Sequence, residues 1–187
     1  MTLLEQLYLP YKLKEVERQG KNGVRHETTA EHTYSTIFLA EYFLKLHPQL
    51  NRDRVMKMIL YHDFVEIYAG DTFIENEEER KEKEKKENDA YKKLLKTLPK
   101  EIVKDFEESW IEYLERKTFE GKFANALDVM DPIIQASTDN TDWVKYHFTE
   151  EKLRKYKEPY LKDFPILMKF FNEIVTELKK KKIIPKS

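Results

Sequence analysis

Apolar residues recur at three- and four-residue spacings along most of the chain, and no alternating run competes with that period. Thr2-Leu3-Leu4-Glu5 has capping-box spacing, and Leu3, Leu4, Leu7 and Tyr8 carry a first helix as far as Pro10. Residues 14–27 are polar, hold Gly20 and Gly23, and read as a loop. Thr28-Thr29-Ala30-Glu31 is a second capping box. Behind it Tyr34, Ile37, Phe38 and Leu44 keep the helical period until Pro48. Asn51 can cap the next helix, on which Val55, Ile59, His62 and Glu66 share a side, with Gly70 at its end or in the turn beyond.

Residues 77–87 are all charged, six Glu and five Lys or Arg. A partner-binding segment or lid is one reading. A solvated helix is the better one, with i,i+4 pairs Glu77–Lys81, Glu79–Lys83 and Glu82–Lys86 and an apolar anchor in Ala90, Tyr91, Leu94, Leu95 and Leu98. Pro99 opens a helix with Ile102, Phe106, Trp110 and Tyr113 on its core side. Another spans 121–137, Thr138 to Asp142 is a turn, and helices follow around 143–157 and 165–182. The pattern predicts an all-α fold of seven or eight helices, one domain over residues 1–187.

Composition narrows the function. Thirty-four basic residues against 35 acidic ones give a net charge of −1, so no global field recruits nucleic acid. The basic residues are interleaved with Glu rather than gathered in a stripe. The absence of cysteine excludes disulfides, thiolate metal sites and a thiol nucleophile. No run is apolar enough for a membrane span, and the N-terminus lacks a signal-peptide pattern, so the expected address is the cytoplasm.

Three places concentrate metal-ligand chemistry: Glu31-His32 at a helix start, His62-Asp63 with Glu66 and Asp71 beyond, and Asp128 with Asp131 one turn later. His62 and Asp63 lie in an apolar stretch, where burial is costly unless the groups are paired or coordinated. A buried His–Asp hydrogen bond would also satisfy them. Asp128 sits in another apolar stretch, four residues before Pro132, which has no N–H for the Asp128 carbonyl and should kink the helix.

The order His32, His62-Asp63, Asp128 resembles the signature of the HD-domain metal-dependent phosphohydrolases. Glu27-Thr28-Thr29-Ala30-Glu31-His32-Thr33 is similar to the box around that family's first histidine. Tyr61 through Asp71 resembles the H-D-x-x-E-x-x-x-G-D box of its 5′-deoxynucleotidase branch. Leu13 through Gly20 and Phe123 through Pro132 resemble its first and last boxes. The motif core spans residues 18–132, and the later helices would complete the domain.

The resemblance implies one divalent metal on His32, His62, Asp63 and Asp128, with Mn, Co, Zn or Fe more natural for two imidazoles and two carboxylates than Mg. It implies hydrolysis of nucleoside 5′-monophosphates with a preference for the deoxy sugar. Glu66 matches the catalytic glutamate, and Asp71 the acid at the sugar and phosphate end. Arg18 and Arg25 match phosphate-binding residues of the N-terminal loop, and a homodimer is expected. Lys21 stands where the family often has a tryptophan, which bears on sugar preference rather than on hydrolysis. The alternatives are a cyclic nucleotide phosphodiesterase, a nucleoside polyphosphate hydrolase, or a non-catalytic helical module stabilised by metal.

Overall fold

The computed structural model describes residues 1–22, 25–71, 77–138 and 148–185. Most of the turn expected over 138–142 and the start of the helix expected from 143 fall outside these residues. So do the Lys21 side chain and the pairs Glu77–Lys81 and Glu79–Lys83.

The described chain is helical, as the periodicity predicts, apart from one small hairpin. Both capping boxes form. Thr2 with Glu5 opens α1 (Leu3–Leu7), and a 3₁₀ turn follows over Leu9–Lys14. Thr28 with Glu31 opens α2 (Thr29–Lys45). Asn51 caps α3 (Arg52–Tyr61) by accepting from the Arg54 N–H. The segment read as a loop over 14–27 is instead largely an antiparallel pair, β1 (Glu17–Asn22) with β2 (Arg25–Thr28). Its polar composition hid the Asn22-Gly23 dipeptide, itself a hairpin signal.

A second difference lies at the centre of the molecule. The helix expected to carry His62, Asp63 and Glu66 on one face ends at Tyr61, with His62 as its cap. The backbone then turns through three-residue hydrogen bonds, Phe64 N–H to Tyr61 O and Glu66 N–H to Asp63 O, before the short α4 (Glu66–Ala69). Gly70 closes α4 at φ +72° and ψ 163°, a region essentially reserved for glycine, and aims the chain at Asp71.

Beyond it come α5 (Glu77–Thr97), α6 (Lys100–Glu115), α7 (Phe119–Thr138), α8 (Glu150–Leu161) and α9 (Pro165–Lys180). Helix α7 is the hub: Phe123, Ala126, Leu127, Met130 and Ile133 are fully buried against Ala40 and Phe43 of α2, Val55 and Met58 of α3, and Leu167, Phe171 and Leu178 of α9. A second apolar cluster joins Leu9, Leu13, Tyr61, Phe64, Leu94, Phe106 and Trp110. Residues 59–64 pass from one cluster to the other, so His62 and Asp63 fall on the seam between them. Helix α7 runs unbroken through Pro132, leaving the Asp128 carbonyl without its usual intrahelical donor.

Candidate metal centre

Four elements deliver the polar groups at this seam. The capping box starts α2 so that His32 lies in its first turn, fully buried. The end of α3 and the turn after it supply His62 and Asp63, and α7 supplies Asp128. Their ligand atoms converge. His32 Nε2 lies 2.9 Å from Asp128 Oδ1, 3.8 Å from Asp63 Oδ2 and 3.3 Å from His62 Nε2. His62 Nε2 lies 3.0 Å from Asp63 Oδ2 and 3.7 Å from Asp128 Oδ1.

The far side of each imidazole is already engaged. His62 Nδ1 is 2.7 Å from the Ile59 carbonyl, which can only accept, so this nitrogen carries the proton. His32 Nδ1 is 2.7 Å from Asp131 Oδ2, the familiar partner of a ligating histidine. Each neutral ring therefore presents an Nε2 lone pair to the centre, where two carboxylate oxygens also point. Four acceptors facing one another need a cation. Without a metal the cluster demands protons instead. Burial and the Arg18 charge press His32 down, yet the hydrogen bonds to Asp128 and Asp131 outweigh them and push its pKa up to about 9. Burial likewise opposes the His62 charge, and Asp63 and Asp128 outweigh it. Burial would raise both acids, but His62 and Arg18 hold Asp63 down to about 2, and the two histidines hold Asp128 well below the carboxylate range. The donor set fits a divalent ion of borderline softness.

The centre opens on a cavity of about 250 Å³. Arg18 of β1 lines it, its Nη1 on Asp63 Oδ2 at 3.1 Å and its Nε 3.8 Å from buried Glu27. Glu66 lines it too, nearly fully buried and accepting from the Thr29 hydroxyl at 2.7 Å. Burial first, then the charges of Asp63 and Asp71, push its carboxyl up to about 8, toward the protonated form. Asp71 is also in the lining. The structure thus brings together every residue given a metal, catalytic or substrate role in the sequence except Arg25, and Glu31 stays at the helix cap. The Arg25 side chain is exposed on β2, its guanidinium bound to both carboxylate oxygens of Glu31 and to the His26 carbonyl. There it supports the cap of α2 and takes no part in the lining.

Other lining residues escaped the sequence reading. Tyr113 of α6, read only as core, donates its hydroxyl to Asp128 Oδ2 and sets its ring 5.3 Å from that of His62. Its signal was the phenol itself, since a buried tyrosine needs an acceptor. Val65, together with Trp110 and Leu114 of α6 and Lys83 and Glu87 of α5, completes the wall. Among the described residues no helix is long and apolar enough to cross a membrane.

Comparison with known proteins agrees with this geometry. Residues 11–167 match a family model described as HD domain. The chain is 35% identical over 138 residues to the 5′-deoxynucleotidase HDDC2 of Bos taurus, covering 72% of this chain and 66% of that protein. It is also 35% identical over 93 residues to a 5′-deoxynucleotidase of Yersinia pestis strain Pestoides F, covering 45% of this chain and 47% of that one. The chain thus spans about two thirds of the length of HDDC2. A solved structure from Magnetospirillum magnetotacticum MS-1, described as a predicted metal-dependent phosphohydrolase, superposes with a TM-score of 0.83 at 30% identity, covering 98% of this chain and 96% of that one. The family model spans the hairpin, the seam and α7, the elements that converge on His32, His62, Asp63 and Asp128, and the chain belongs to the HD domain family.

Proposed function

We propose that this protein hydrolyses nucleoside 5′-monophosphates to nucleoside and phosphate, preferring the deoxy sugar, with one divalent cation held by His32, His62, Asp63 and Asp128. The observation that carries the reading is the convergence of four acceptor atoms beside a cavity lined by Arg18, Glu66 and Asp71. The names of the relatives in Bos taurus and Yersinia pestis support the substrate class. When bound, the cation supplies Lewis acidity toward a phosphate oxygen and lowers the pKa of water. Mn, Co, Zn or Fe suits the donors better than Mg.

The chain's own residues account for the rest. Asp131 and the Ile59 carbonyl fix the tautomers of His32 and His62. Arg18 offers its guanidinium to the phosphate from the rim of Asp63. Asp71, in the lining, accepts from a sugar hydroxyl in this reading. Water attacks phosphorus in line, the P–O5′ bond breaks, Glu66 gives its proton to the departing O5′, a poor leaving group as an alkoxide, and a proton of the attacking water then returns to Glu66, leaving nucleoside and phosphate. The reading includes a cytoplasmic homodimer. Its support is the cysteine-free composition and the exposed stripe of Tyr34, Phe38 and Tyr42 along α2.

The test is phosphate release from 5′-dNMPs, 5′-NMPs, 3′-NMPs, cAMP and dNTPs by metal-stripped protein supplied with Co²⁺, Mn²⁺ or Mg²⁺. Metal-dependent turnover of 5′-dNMPs above 5′-NMPs is expected. Equal rates on both sugars discard the deoxy preference, and turnover confined to cAMP or dNTPs overturns the reading.

A further inference from the structure

Two members of the charged run do not behave as a solvated face. Lys83 and Glu87, one turn apart on α5, lie in the wall of the cavity that holds Arg18, Asp63 and Glu66. Their side chains are 22% and 23% exposed, whereas the neighbouring pair Glu82–Lys86 is 66% and 52% exposed. Lys83 Nζ is 3.7 Å from Glu87 Oε1. Burial and then, after the counteracting Lys83, the charges of Asp63 and Asp71 act on the Glu87 carboxyl, which places this pair within the field of the centre.

The charge balance of the cavity asks for such a cation. Asp63, Asp71, Glu87 and Asp128 line it as acids, with Glu66 drawn toward its neutral form, against Arg18 and Lys83 as the basic residues of the lining. A divalent ion is offset by Asp63 and Asp128, its own carboxylate ligands. The Arg18 guanidinium, which also serves the phosphate, shares its charge with Asp63. A phosphate dianion entering this space meets the further carboxylates of Asp71 and Glu87, and Lys157, whose charge interacts with those of Asp128 and Arg18, is not in the lining to offset them. An ammonium on a flexible four-carbon stem can turn from Glu87 to such an anion.

We propose that Lys83 is a phosphate-binding residue of this site, reaching across the cavity from α5 and held at its wall by Glu87. The assignment rests on the cavity being a phosphate-ester site, and its test is built to fail separately from that reading. Lys83→Ala, Lys83→Arg and the exposed control Lys86→Ala are prepared in the full chain and loaded with Co²⁺. Binding of inorganic phosphate is measured by calorimetry, alongside KM and kcat for dAMP and the Co²⁺ affinity. Lys83→Ala is expected to weaken phosphate binding and raise KM by about tenfold, as for loss of one charge-assisted contact. Its kcat and Co²⁺ affinity should stay within threefold of wild type, Lys83→Arg should recover most of the loss, and Lys86→Ala should change nothing. Phosphate affinity of Lys83→Ala within twofold of wild type, or an equal loss in Lys86→Ala, overturns the proposal. If wild type turns over no nucleotide but Lys83→Ala still loses phosphate affinity, the proposed substrate class falls and the role of Lys83 stands.

Discussion

Replacing Tyr113 with Phe removes one oxygen atom from the protein and leaves the ring against His62 in place. The hydroxyl donates to Asp128 Oδ2, while Oδ1 of the same carboxylate faces His32 Nε2 at 2.9 Å. The bond therefore fixes which oxygen is turned to the centre. A hydrogen bond to a charged group contributes about 1.5–3 kcal/mol. Loss of a partner behind a metal ligand costs roughly 10–100-fold in metal affinity, which is about 1.4–2.8 kcal/mol. The two figures arrive at the same range independently. Because Tyr113 borders the cavity, water can reach the orphaned oxygen, which favours the lower end, near tenfold. The assay is a chelator competition for Co²⁺, read in its visible absorption, on metal-stripped wild type, Tyr113→Phe and Tyr91→Phe. Tyr91 is the control because its hydroxyl serves Glu107, outside the cavity. A Tyr113→Phe affinity within twofold of wild type would refute the claim that the phenol orients Asp128.

Other expectations follow from the same geometry. Glu66→Gln should lower kcat by roughly 10²–10⁴-fold with Co²⁺ affinity unchanged, and a fully active variant removes Glu66 from the chemistry. In metal-stripped protein the Glu66 pKa of about 8 lies above its ordinary 4.5, so the folded state binds this proton more tightly than the unfolded one. The associated stability is complete below about pH 4.5 and is lost as pH rises through 8. Urea titrations at pH 5 and pH 9 should therefore show Glu66→Gln gaining on wild type at the higher pH, by up to a few kcal/mol, and no gain contradicts the assignment. Arg18→Ala should raise KM at least tenfold, while Arg25→Ala, which loses only an exposed pair with Glu31, should keep kcat/KM within threefold. Equal losses in steady-state assays would return Arg25 to the substrate. Gly70→Ala should cost about 1–3 kcal/mol in thermal unfolding, because its backbone lies where a Cβ is disfavoured, and a neutral result would deny that strain.

What the sequence made legible was local. Capping boxes at Thr2 and Thr28 and the cap at Asn51 appear where residue types alone place them, because a cap is a contact over three residues. The apolar face of α5 from Ala90 to Leu98 and that of α9 follow from spacing for the same reason. The break after Tyr61 was hidden, since an apolar run reads alike whether its backbone bonds span three residues or four. His62, Asp63 and Glu66 still meet at the cavity, the turn doing what the helix face was expected to do. Partnerships across long separations were not readable in the residues themselves. The face on which Tyr113 lies was clear, but not that α7 would set Asp128 opposite it, nor that Lys83 would turn inward while Lys86 faces water. Arg25 shows the converse: a loop arginine of the right type was drawn to the capping glutamate instead of the cavity.

The most direct test of the account is a titration of metal-stripped protein with Co²⁺ at saturating dAMP, following phosphate release. Four ligand atoms around one centre predict that activity rises linearly to one equivalent per chain and then stays flat, and that Asp128→Ala shows neither tight binding nor turnover. Undiminished phosphate release from metal-stripped protein, or from Asp128→Ala, would contradict it.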